Sequence, residues 1–180
     1  IENSFGGLKG ETVKKAALVF AIIELIIVVV AVVQFRKNAE MQFVFNYPWI
    51  KSLGINFHVA MDGISLLLVL LTVFLFPLII LSSFNREIKN PSAFFSLILF
   101  LEMALIGVFT SMDGFLFYVF WELALIPIWF ICLIWGGNDR ARITFKFFVY
   151  TLLGSLFMLA ALIYVYLHTG SLSGQEGDNS

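Results

Sequence analysis

Long apolar runs alternate with short polar breaks along the chain. Five of these runs hold about 20 residues each: Ala16–Phe35, Gly63–Ser83, Ala93–Met112, Asp113–Trp135 and Phe145–Leu167. Twenty residues of helix rise about 30 Å, the thickness of a bilayer's hydrocarbon layer. No water serves the backbone there, so each run must close its own hydrogen bonds, and helix is the form in which one segment does so. The pattern therefore divides the chain into a polar N-terminal segment (1–15), a transmembrane region (16–169) and a tail (170–180) rich in Gly, Ser and acidic residues that reads as loop or disorder.

The break between Arg36 and Asp62 is long enough to hold structure. Met41, Phe43, Phe45 and Tyr47 alternate with polar or smaller residues, as do Ile55, Phe57, Val59 and Met61. Period-two alternation on both sides of the turn-forming stretch Pro48–Gly54 predicts a small β-hairpin outside the membrane, with Tyr47 and Trp49 at headgroup level. The expected fold class is thus an all-α polytopic membrane protein, with about five transmembrane helices and an extramembrane hairpin between the first two.

Composition agrees. Of 180 residues 61% are hydrophobic and 13% charged, and mean hydropathy is +0.98, against roughly half and a quarter for soluble domains. The net charge of −1 leaves no basic excess for nucleic acid; the partner that composition names is the lipid bilayer. A lone cysteine, Cys132 in an apolar run, excludes a disulfide framework and CxxC chemistry. There is no nucleotide-binding Gly-rich loop and no metal cluster. His58 and His168 fall outside the spans' interiors, which argues against a haem-carrying bundle. The chain starts at Ile1 without a signal-peptide pattern and is expected to be a processed chain or a fragment.

Alternation of the spans places eight of the eleven Lys and Arg on one side: Lys9, Lys14, Lys15, Arg86, Lys89, Arg140, Arg142 and Lys146. Arg36, Lys37 and Lys51 lie on the other. By the positive-inside rule the first side is cytoplasmic, and the hairpin faces out. The tripeptide MDG occurs at Met61–Gly63 and again at Met112–Gly114, each time at the outer start of a span. Asp62 and Asp113 read as N-caps, whose carboxylates accept the free N–H groups of the first turn.

Three spans carry a carboxyl near mid-depth: Glu24, Glu102 and Glu122. An acidic residue there opposes insertion by about 2.5–3.5 kcal/mol. One is readily carried by an apolar helix; three suggest a polar route. Each also has a plainer reading, a permanently protonated carboxyl that hydrogen-bonds a neighbour and helps helices pack. Two features set Glu122 apart. Pro127 deprives the Leu123 carbonyl of its helical partner. Tyr118 at i−4 and Trp129 at i+7 place polarisable groups on the same stripe. Gly154 and Ser155, with Thr151 a turn earlier, offer a small, close-packing place on the last span. Lys146 lies barely inside that span, where its stem reaches back to the cytoplasmic surface. A mobile cation beside a buried carboxyl makes a proton relay. No Lys or Arg lies deep in any of the five spans.

Three stretches carry a resemblance: "FHVAMDGISLLLVLLTVFLFPLIILSSF" (Phe57–Phe84), "MDGFLFYVFWELALIPIWFICLIWG" (Met112–Gly136) and "RITFKFFVYTLLGSLFMLAALIYV" (Arg142–Val165). Together they resemble the antiporter-like subunit M, or subunit 4, family of respiratory NADH:quinone oxidoreductase (complex I). The resemblance implies part of an antiporter-like fold of two inverted repeats with many more helices. It implies proton movement coupled to electron transfer elsewhere, other membrane subunits of complex I as partners, and a bacterial cytoplasmic membrane location. No cofactor is expected on this chain, since NADH, FMN, iron–sulfur clusters and quinone belong to partner subunits. It places the family's essential glutamate at Glu122. Depth and helix face, read from the residues themselves, add Glu102 as a second relay group and Glu24, Tyr118 and Lys146 as further candidates. The family's partner lysine lies on a later helix beyond this chain. Alternatives are a subunit of a multisubunit cation/proton antiporter or membrane-bound hydrogenase, or a structural membrane scaffold.

Overall fold

The computed structural model describes residues 2–36, 40–50 and 55–169, with side chains from Gly10 to His168 within those ranges. In chain order the elements are α1 (Glu2–Gln34), β1 (Gln42–Ile50), β2 (Ile55–Met61), α2 (Gly63–Ser82), α3 (Pro91–Thr110), α4 (Gly114–Trp135) and α5 (Arg140–Thr169). Among the described residues five helices are long and apolar enough to cross a membrane, as the hydropathy pattern predicts. Residues 170–180, read above as loop or disorder, lie outside the described residues, as does the hairpin turn at 51–54.

The boundaries depart from expectation at the polar ends. α1 starts at Glu2, so residues 2–15 belong to the same helix as the first span, and α5 starts at Arg140, five residues before Phe145. Hydropathy marks where lipid begins, whereas a helix runs on into water until a cap or turn stops it. The opposite happens at the α3–α4 turn. α3 stops at Thr110, short of Met112, because the next residues pair with the hairpin. Ser111 forms a bridge with Val59, and the Met112 N–H donates to the His58 carbonyl at 2.9 Å.

Both aspartates of the MDG repeat are N-caps. Asp62 forms a capping box: its Oδ1 accepts from the Ser65 N–H at 2.7 Å, and the Ser65 hydroxyl accepts from the Asp62 N–H at 3.4 Å. Asp113 is almost fully buried. Its Oδ1 accepts from the N–H groups of Phe115 (2.9 Å) and Leu116 (3.2 Å), while its Oδ2 accepts from the Asn56 N–H of β2 at 3.3 Å. One carboxylate therefore caps α4 and holds the hairpin to the bundle.

The hairpin is antiparallel, with Phe45 opposite Val59, Tyr47 opposite Phe57 and Pro48 opposite Asn56. Pro48 and Trp49 are strand residues here, not turn residues. Proline is accommodated because the register shifts between Pro48 and Ile50, where an N–H is dispensable. A second shift lies between Gln42 and Phe45, and Phe43 takes a left-handed φ of 55°. That bulge interrupts the alternation expected across Met41–Tyr47. β2 lies on the ends of α2, α3 and α4, and the Phe57 ring meets Phe120 of α4 at 6.5 Å.

At the opposite end, two donors tie the α2–α3 loop down. Lys14 Nζ of α1 donates to the carbonyls of Phe84 (3.1 Å) and Arg86 (2.9 Å), and Trp135 Nε1 of α4 donates to the Lys89 carbonyl at 2.7 Å. Between the ends, Ala17 and Ala21 of α1, Phe76 and Ile80 of α2, and Phe95 and Ile98 of α3 form one buried cluster. The two alanines let α3 approach α1 closely. α4 packs on α3, and α5 on α4.

Candidate functional site: the intramembrane carboxyls

α3 and α4 form a tight antiparallel pair, so depth can be counted from their turn. Glu102 lies eight residues before the end of α3, and Glu122 eight residues after the start of α4. Both therefore sit about 12 Å from the turn, near the middle of a layer about 30 Å thick. The structure distributes the three mid-depth carboxyls over two groups.

The first group lies between α1 and α3. Ala17, Ala21 and Glu24 follow one face of α1 at i, i+4 and i+7. Phe95, Ile98 and Glu102 follow one face of α3 at i, i+3 and i+7. The first two members of each stripe share the core cluster, and the two helices, separated by one antiparallel crossing, run the same way. The third members therefore arrive at the same height, and the carboxyls of Glu24 and Glu102 face one another. Glu102 is 0% exposed. Both its oxygens, and Oε2 of Glu24, are buried without a hydrogen-bond donor. Two carboxylates about 4 Å apart repel by about 4 kcal/mol even at an effective dielectric of 20, and no cation on α2, α3 or α4 offsets that.

The second group lies between α4 and α5. Tyr118 lies beside both Glu122 and Ser155. Ser155 is buried, and its hydroxyl donates to the Leu152 carbonyl at 2.9 Å, which leaves its oxygen free to accept. Trp129 meets the Phe148 ring at 5.9 Å, so the stripe Tyr118–Glu122–Trp129 runs along α5. Glu122 is half-buried, with Oε1 buried and without a donor. Pro127 is fully buried within α4, which continues through it.

Lys146 does not join either group. The face of α5 turned to α4 carries Thr144, Phe148 and Ser155. Lys146, two residues from Thr144, is rotated about 200° away and exposed. The pairing of Glu24 with Glu102 and the part played by Ser155 escaped the reading of the sequence. The matched seven-residue spacing from small or apolar core positions to each glutamate was the available signal.

The architecture has solved counterparts. It superposes on a respiratory complex I structure from Thermus thermophilus with a TM-score of 0.72 at 27% identity, covering 91% of this chain and 37% of that one. It also superposes on the Mrp complex from Dietzia sp. with a TM-score of 0.70 at 15% identity, covering 90% of this chain and 17% of that one. The fold class is thus that of a multi-pass, antiporter-like membrane subunit.

Residues 13–108 match the family described as NADH-ubiquinone oxidoreductase chain 4, amino terminus, and residues 111–178 match the NADH:quinone oxidoreductase/Mrp antiporter transmembrane family. The chain belongs to the chain 4, or subunit M, family of NADH:quinone oxidoreductases. Among its relatives, the NADH-quinone oxidoreductase subunit M of Rhodobacter capsulatus is 43% identical over 74% of this chain and 26% of the relative. The F(420)H(2) dehydrogenase subunit M of Methanosarcina mazei is 44% identical over 70% of this chain and 26% of the relative. The chain thus spans about a quarter of these relatives.

Proposed function

We propose that this chain is part of a proton-translocating membrane subunit of an NADH:quinone oxidoreductase, working among other membrane subunits in a bacterial cytoplasmic membrane with its basic end inward. The observation that carries this reading is the set of mid-depth carboxyls on α1, α3 and α4, turned toward neighbouring helices and left without donors.

The physical chemistry is that of a relay. A carboxyl surrounded by hydrocarbon keeps its proton until a cation approaches, then releases it, and recovers one when the cation leaves. α4 holds Glu122 against α5, and Tyr118 provides a hydroxyl through which its proton can pass toward Ser155. The cation comes from a later helix of the full subunit. NADH, FMN, iron–sulfur clusters and quinone are handled by partner subunits, so this chain contributes proton movement and no redox centre. The likeness to the F(420)H(2) dehydrogenase subunit M supports a second reading, in which the same proton machinery serves another electron donor.

Glu122→Gln in the full-length subunit, in native membranes, tests the proposal. Gln keeps shape and hydrogen bonding but cannot ionise. Donor-driven proton uptake into inverted vesicles should collapse together with coupled turnover while the complex still assembles. Unchanged uptake would make Glu122 a protonated packing group and the chain a scaffold. Supplying NADH and reduced F420 in turn distinguishes the two donors.

A further inference from the structure

We infer that Glu24 and Glu102 act as a single acid, two carboxyls that share one proton between α1 and α3, and so form a proton-holding station separate from Glu122. This deepens the translocation reading and rests on it for its role, though not for its existence.

The argument starts from what surrounds Glu102. It is fully buried, and neither oxygen has a donor from backbone or side chain. α2, which packs on α1 and α3, has no titratable or charged residue from Gly63 to Ser82, and Thr72 spends its hydroxyl on the Leu68 carbonyl at 2.9 Å. On α4, which packs on the other side of α3, Glu122 and Tyr118 lie beside each other and near Ser155 of α5. The group facing Glu102 is Glu24, which approaches from α1 and has a buried, donor-free oxygen of its own. The nearest cation on α1, Lys15, lies nine residues below Glu24, about 13 Å along the helix. It is already paired with Glu11 at 2.7 Å.

Three proton counts are available to such a pair. With none, two like charges meet in hydrocarbon without a counter-ion, the least favourable state. With two, the pair is neutral and can close as an acid dimer, each O–H on the other's carbonyl, but it then has no site for a further proton. With one, the protonated carboxyl donates to the ionised one, each satisfies the other, and a single negative charge is spread over four oxygens. The backbone favours that arrangement. Both glutamates sit at the seventh position beyond a packed core residue, Ala17 on α1 and Phe95 on α3, so the cluster below them sets their separation. The pair can accept a second proton from one side and return it to the other, which is what a station along a proton path must do.

The experiment is a count of protonated carboxyls by infrared difference spectroscopy on the assembled complex. Wild type, Glu24→Gln, Glu102→Gln and the double variant are compared at neutral pH through the acid C=O stretch that the double variant lacks. A shared proton gives one acid carboxyl in the wild type and one in each single variant, so the wild-type band equals that of either single variant. A wild-type band twice that of the single variants would mean two independent, permanently protonated groups and would overturn the inference. So would a wild type without the band. If a Gln variant does not assemble, Glu24→Leu on half-buried α1 carries the same expectation. The count does not depend on pumping, so its failure is read separately from the outcome at Glu122.

Discussion

Gly107 of α3 lies against the ring of Phe120 on α4, so closely that a Cβ on Gly107 would overlap the ring. This contact sets the separation of the two helices that carry Glu102 and Glu122. Gly107→Ala gains up to about 1 kcal/mol of helix propensity. Overpacking a close helix contact costs about 1–3 kcal/mol, and here the backbone or Phe120 must move. The clash should win. The expected result is a lower thermal midpoint of the detergent-solubilised subunit, recovered in part by Phe120→Leu. A midpoint at or above wild type would mean that the contact is loose.

Asp113 serves both the α4 N-terminus and the hairpin. Asp113→Ala removes the cap, worth about 1 kcal/mol, and leaves the Asn56 N–H without its acceptor, about 1–3 kcal/mol more. Asp113→Asn keeps an oxygen for the cap and loses the second acceptor, so it should fall between the two. Protease susceptibility of the hairpin should rise in the order wild type, Asn, Ala. Equal susceptibility of Asn and wild type would show that the Asn56 contact contributes nothing.

At the other hairpin junction, the Ser65 hydroxyl and N–H beside Asp62 hold its carboxyl below the usual range. A depressed carboxylate contributes stability above its unfolded value of about 3.9 and loses it as pH falls through the lower, folded value. The protection factor of the Ser65 amide should be flat at neutral pH and drop as the medium becomes more acidic than about pH 4. Asp62→Asn should abolish that drop. A drop that persists in the variant would assign it to another group.

Tyr118→Phe removes the hydroxyl between Glu122 and Ser155 while keeping the ring. Losing the hydroxyl beside the relay carboxyl should slow donor-driven proton uptake by about tenfold, less than Glu122→Gln does. Ser155→Ala should produce a smaller loss in the same direction. Wild-type uptake in Tyr118→Phe would remove the hydroxyl from the path.

Particular residues show how far the sequence could be read. The capping role of both aspartates was visible in MDG, because a cap is a contact within one turn. The second role of Asp113 was not, because Asn56 is 57 positions away. The hairpin was visible in its alternation, but its two bulges were not, since Phe43 and Pro48 obey a register that the partner strand sets. Glu122, Tyr118 and Trp129 could be placed on one stripe from their spacing. That the stripe meets Ser155, and that Lys146 turns away from it, required α5 to be in place.

The chain alone determined where the membrane is crossed, because in hydrocarbon each segment must satisfy its own backbone, and that requirement is local. It also determined how deep the three glutamates lie, since helical rise converts position into height. Only the tertiary structure decided which carboxyls meet. The helices are apolar nearly all round, so no stripe of polarity announces which face turns inward. That choice is made by small residues such as Ala17, Ala21 and Gly107, which admit a neighbouring helix. It brings Glu24, 78 positions away in sequence, to the side of Glu102.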